Sequence, residues 1–138
     1  MKSSLVSGFA EGPHEGNTIH TLVTSNGSPY QNIQTRIMYA TYKLAQQMDG
    51  GERMVAFTRI LHRTVEDLLM NEVPTVRVNP RDPACDLWCD FPVADRPGAV
   101  RQFLLAAKTD PALIKAPWLL LIETDYVWAK PIKAGTIP

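Results

Sequence analysis

The sequence predicts an α/β fold on a mostly parallel sheet, and three observations carry that prediction. Short β-rich runs recur along the chain, helical periodicity fills the stretches between them, and Gly, Pro, Asn or Asp marks the switches. The resulting order is strand, helix, strand, helix, strand, helix, strand, which is the order of parallel strands joined by right-handed crossovers. With 138 residues, 45% of them apolar, the chain has material for one domain around one core.

Residues 1–17 are rich in Gly, Ser, Pro and Glu without periodicity, and little order is expected there; 18–138 form the domain. Residues 19–23 alternate and read as the first strand. Ser28 is placed to cap a helix and Pro29 to occupy its first turn. That helix is expected over about 30–47, with Ile33, Ile37, Ala40, Leu44 and Met48 as its buried stripe, ended by Asp49-Gly50-Gly51. Residues 54–61 form a second strand. Thr64 is expected to start a short helix with Asp67 in a capping box. Thr75–Val78 is a third strand, closed by Asn79-Pro80. A proline-rich loop with Cys85 and Cys89 follows; the simplest reading is two loop thiols, with a local disulfide as the alternative in an oxidising compartment. Two cysteines alone do not make a zinc site, and His14, His20 and His62 are scattered. Pro97 opens a second long helix with the face Val100, Phe103, Leu104 and Ala107, and Asp110-Pro111 starts one more turn. Trp118–Ile122 does not alternate, so it is expected as a central strand covered on both faces.

Composition narrows the function. Fourteen basic and fourteen acidic residues balance, and no run of Lys or Arg stands out, which argues against a nucleic-acid partner or a polybasic membrane patch. No apolar run approaches bilayer length, the first residues lack a signal-peptide core, and the chain reads as soluble.

The chemistry-bearing feature is the sequence WLLLIETDYVW, in which an apolar strand ends in Glu123 and Asp125. Ligands of such sheets collect beyond the carboxyl ends of the strands. Two residues apart in extended chain, these carboxylates would leave on one side and repel unless a proton or a cation lay between them. Mg²⁺ or Mn²⁺, which bridge to phosphates, would suit them; solvated loop acids are the other reading. Thr24 and Ser25 end the first strand on the same edge. Arg59, inside an apolar strand, needs either an anionic ligand such as a diphosphate or an acidic partner. Arg96, at a helix N-terminus, is placed to assist an anion site or to be surface charge. His62 reads as a loop histidine, and spacing singles out no catalytic base.

With these residues in view, the chain resembles the hydroxyproline O-arabinosyltransferases of plants and green algae. The likeness lies in IHTLVTSNGSPYQNIQTRIMYATYKLA, MVAFTRILHRT, NEVPTVRVNP and WLLLIETDYVWAKPI, with RPGAVRQFL between them, and covers about residues 19–132. The resemblance implies a GT-A glycosyltransferase fold, UDP-β-L-arabinofuranose as donor, and a hydroxyproline-containing peptide of secreted or cell-wall proteins as acceptor. It also implies a Golgi location and a divalent ion, usually Mn²⁺. The family's Glu-Pro-Asp segment corresponds here to Glu123-Thr124-Asp125. It makes Asp125 the metal ligand, gives Glu123 the metal's water shell or the ribose, brings Thr24 and Ser25 near the uridine, and adds Arg59 or Arg96 on the phosphates. Family members run well beyond this motif, so the chain is expected to be the donor-binding half, truncated after the motif. Two alternatives stand beside this: a relative of the peptidyl serine galactosyltransferases, whose acidic segment is closer to Asp-x-Asp, and a non-catalytic homologue acting as an interaction protein. An unrelated phosphate-binding α/β domain is disfavoured, since neither common glycine-rich phosphate loop is present.

Overall fold

The computed structural model describes residues 15–132. It contains β1 (Ile19–Ser25), α1 (Pro29–Gln46), β2 (Met54–His62), β3 (Thr75–Val78), α2 (Asp95–Thr109) and β4 (Trp118–Ile122), with short 3₁₀ turns between them. The four strands form one parallel sheet in the order β3-β2-β1-β4. The predicted α/β architecture is therefore present. Residues 1–14 lie outside the described region; Glu15–Asn17 form a 3₁₀ turn, and the Gly16 carbonyl accepts the Trp118 indole N–H at 3.0 Å.

At β1 and β2 the sheet is covered on both faces. On one face Val23, Met54 and Phe57 meet Met38, Tyr42 and Ala45 of α1. On the other, Leu22, Ile60 and Val78 meet Ala99 and Phe103 of α2. Successive residues of β1, Leu22 and Val23, thus feed opposite cores, as the two-residue period of a strand requires. Full burial of each such Leu, Met or Phe side chain contributes roughly 1.5–3 kcal/mol.

Four expectations are corrected. All of β1 is buried, and β1 rather than β4 is the inner strand carrying β4 on its flank. Among the described residues β4 pairs only with β1, and Trp118, Leu119 and Leu121 are exposed. Its continuous apolar run therefore does not mark a central position, and among the described residues it is left partly uncovered. The expected stripe of α1 faces outward: Ile33, Ile37, Leu44 and Met48 are exposed, while Thr35, Met38, Tyr42 and Ala45 are buried. Aromatic packing sets this rotation, since Tyr42 packs at a tilt against Phe57 and edge-on against Trp128, with ring centroids 5.1 and 5.6 Å apart.

The helix expected at Thr64 is replaced by a 3₁₀ turn, Leu68–Asn71, because Asp67 is drawn into an ion pair instead of a cap and Thr64 bonds Asp86. Finally, α2 starts at Asp95, two residues before Pro97. Its buried face is Asp95, Ala99, Phe103 and Ala107, and Leu104 faces outward.

Other local expectations are met. Ser28 Oγ accepts the Gln31 N–H at 3.2 Å, and Pro29 lies in the first turn. Gly50 takes φ 87° after α1, and a Cβ on Gly51 would lie 2.3 Å from the Ala45 carbonyl oxygen, so both glycines are required where the chain turns back.

Candidate functional site

The strand order reverses between β1 and β4: from β1 the chain builds β2 and β3 to one side, then crosses with α2 to place β4 on the other. A crevice opens outside the carboxyl ends of the strands at such a reversal. Here it is a groove of about 820 Å³ between α2 and β4, which includes Thr24 from the end of β1 and Glu123 and Tyr126 from the chain after β4.

Of the residues singled out in the sequence, Thr24, Arg96 and Glu123 come together in this groove. Arg96 Nη1 donates to Glu123 Oε1 at 2.8 Å, joining the start of α2 to the end of β4. Asp125 is exposed in the turn that follows, marked by a 3.4 Å bond from the Tyr126 N–H to the Glu123 carbonyl. The backbone is no longer extended there, so the extended-chain rule does not set the directions of the two carboxylates. Between them Thr124 is buried and donates its hydroxyl to Gln34 Oε1 at 2.8 Å, pinning the acidic turn to α1.

Ser25 and Arg59 are spent inside the fold. Ser25 is fully buried, and its Oγ accepts the Gly27 N–H at 3.1 Å. The side chain of Arg59 is 0% exposed. Its guanidinium donates to both oxygens of Asp67 at 2.6 and 2.9 Å, to Asn32 Oδ1 at 3.1 Å and to Thr75 Oγ1 at 3.0 Å. The acidic partner, of the two possibilities for Arg59, is the one seen. Burial pushes the Asp67 carboxyl up, but the hydrogen bonds and charge of Arg59, helped by Asn32, outweigh this and hold it below the usual carboxylate range.

Two cations escaped the sequence reading. Arg101 and Lys108 of α2 line the groove together with Arg96, against one carboxylate, Glu123. Their spacing along a helix was visible, but which face of α2 met the crevice was not. The rest of the lining is apolar, including Val100, Leu104, Leu105, Leu121 and Ile122, so the cations stand on an otherwise apolar groove.

The donor set for a hard cation is Glu123 and Asp125, both exposed oxygen ligands. Carboxylate oxygens are the donor type that Mg²⁺ and Mn²⁺ take together with phosphate oxygens, and of these two carboxylates Glu123 is already paired with Arg96.

A second polar cluster lies at the same end of the sheet. Cys85 and Cys89 are disulfide-bonded, which displaces the reading of two free loop thiols. His62, read from the sequence as a loop residue, is the buried last residue of β2, with Nδ1 3.4 Å from Asp95 Oδ2. Burial pushes its imidazole below the ordinary histidine range, against the pull of Asp95.

Among the described residues no helix is long and apolar enough to cross a membrane. No solved structure matches the chain. The model of the hydroxyproline O-arabinosyltransferase family N-terminal domain matches residues 19–136. The chain is 37% identical to hydroxyproline O-arabinosyltransferase NOD3 of Pisum sativum, over 94% of this chain and 36% of that protein. It is 38% identical to hydroxyproline O-arabinosyltransferase 3 of Arabidopsis thaliana, over 82% of this chain and 29% of the relative. Hydroxyproline O-arabinosyltransferase 1 of Arabidopsis thaliana is 39% identical, again over 82% and 29%. The chain thus spans about a third of the length of these relatives. On this agreement across nearly all of its residues, the chain belongs to the hydroxyproline O-arabinosyltransferase family and corresponds to its N-terminal domain.

Proposed function

We propose that this chain is the donor-binding part of a GT-A-type glycosyltransferase. In this reading it holds UDP-β-L-arabinofuranose for transfer of arabinose to hydroxyproline in a peptide acceptor, in the Golgi. The observation that carries the reading is the groove at the β1–β4 reversal, where Thr24, Arg96 and Glu123 meet beside Arg101 and Lys108. The relatives' names support arabinose as the sugar and hydroxyproline as the acceptor, and the cations beside the groove support an anionic ligand.

Each residue has a task in this reading. Asp125, with Glu123, offers the oxygen donors for Mn²⁺ or Mg²⁺. The ion, when bound, supplies Lewis-acid neutralisation of the departing diphosphate. Arg96 holds Glu123 in position through the 2.8 Å ion pair. Arg101 and Lys108 add positive charge along α2 to attract the diphosphate. Thr24 lines the inner end of the groove, and Arg59 supports the site from within by locking β2 to Asp67.

Calorimetric titration of the chain with UDP tests this. Binding is expected in Mn²⁺, at least tenfold weaker in excess chelator, and similarly weakened by Asp125→Asn or Arg101→Ala. Binding that is indifferent to chelator and to both substitutions would remove the assignment of the groove and its acidic turn.

A further inference from the structure

The disulfide-bonded cysteines do not stand alone. Cys85 Sγ, Cys89 Sγ and a carboxylate oxygen of Asp95 all lie within 4.8 Å of one another. Donor atoms about 2.0–2.3 Å from a tetrahedral zinc ion sit roughly 3.3–3.8 Å apart, so the two bonded Sγ atoms must separate to that spacing on reduction, beside Asp95. The segments that hold it are fixed from outside. Asp82 Oδ1 accepts the Ala84 N–H at 2.9 Å and starts the 3₁₀ turn Pro83–Asp86 that carries Cys85. Asp86 accepts from the Thr64 N–H at 3.1 Å, and Asp95 is the first residue of α2.

The buried groups beside the thiols supply a second, independent observation. The Asp95 side chain is only 4% exposed and accepts the Arg81 N–H at 3.0 Å. His62 Nδ1 is buried, lacks a hydrogen-bond partner, and stands 3.4 Å from the other Asp95 oxygen. Carboxylates that ligate metals are themselves held by hydrogen bonds from behind, and His62 stands next to Asp95 on the side where such a donor belongs. A cavity of about 250 Å³, walled by both cysteines, Asp95, Arg63 and Trp88, gives an ion a way in.

We infer that the reduced Cys85–Cys89 pair, together with Asp95, forms a binding site for a borderline-soft divalent cation of the zinc class, with His62 as the positioning residue behind Asp95. Two thiolates select such an ion over Mg²⁺ or Mn²⁺, which distinguishes this site from the all-oxygen pair Glu123 and Asp125. Three protein ligands leave the fourth position for water or an exogenous ligand. The site exists only in the reduced chain. A dithiol reductant delivers two electrons and two protons to the S–S bond and becomes a disulfide itself. The cation then displaces both thiol protons to solvent. Disulfide and cation therefore exclude each other.

The test is a Co²⁺ titration of the whole chain, reduced with a phosphine under anaerobic conditions, followed by displacement with Zn²⁺. A thiolate-to-cobalt charge-transfer band is expected that saturates at one Co²⁺ per chain, that Zn²⁺ abolishes and that a carboxylate site cannot produce. The band should be absent from the oxidised chain and from C85S/C89S. Asp95→Asn should weaken binding by about 10–100-fold, the range for a disturbed ligand shell. A reduced chain that keeps its far-UV circular dichroism yet shows no such band, or binds Zn²⁺ no more tightly than C85S/C89S, overturns the inference.

Discussion

The Arg59 guanidinium sits in the interior of the sheet with all three of its nitrogens hydrogen-bonded, the shortest contact being 2.6 Å to Asp67. Removing one member of such a pair strands the other's charge, so Arg59→Ala should destabilise the chain by about 3–5 kcal/mol in urea unfolding, whereas replacing both residues with apolar ones of similar volume should cost far less. His20 makes the complementary case of a buried group kept neutral. Its Nδ1 accepts the Lys115 N–H at 3.3 Å, which leaves Nε2 to donate to Thr58 Oγ1 at 2.8 Å. Burial, with a smaller contribution from Lys115, lowers its pKa from 6.5 to about 4. The unfolded chain therefore binds the proton more readily, and stability is lost as the pH falls from 6.5 towards 4. His20→Gln should flatten that part of the stability–pH curve relative to the parent chain. Both residues show what a one-dimensional reading cannot supply. That Arg59 needed an anion was legible from its apolar neighbours; that Asp67 would provide it depended on how the chain turns after β2.

Helix α1 separates the parts of an element that sequence encodes locally from those set by packing. Its ends were legible, because Ser28-Pro29 and Gly50-Gly51 act through their own backbone chemistry. Its rotation was not. Two apolar stripes compete, and the less obvious one, Thr35, Met38, Tyr42 and Ala45, faces the sheet because Tyr42 fits between Phe57 and Trp128. Met38→Ala should therefore cost about 2–5 kcal/mol, while Ile37→Gln, at an exposed position, should change stability by less than about 0.5 kcal/mol. Denaturant midpoints of the two variants check the register; the reverse ranking would mean the helix is turned the other way. The same limit applied to β4, whose apolar run gave its existence and its end at the carboxylates but not its place in the sheet.

At the scale of the molecule, the order β3-β2-β1-β4 places the ends of β1 and β4 side by side, and α2 brings three cations over them. The succession of strands and helices was readable from periodicity, and so was the acidic turn. The groove was not, since it arises from a strand-order reversal that periodicity does not encode. Membership of the hydroxyproline O-arabinosyltransferase family accords with this arrangement, and the proposal places the nucleotide diphosphate in the groove. The most direct measurement is an NMR titration of the ¹⁵N-labelled chain with UDP in Mg²⁺, read residue by residue. The predicted result is shift changes concentrated at Thr24, Arg96, Arg101 and residues 121–126. A well-dispersed spectrum that does not respond to UDP, or responds elsewhere on the fold, would contradict the account.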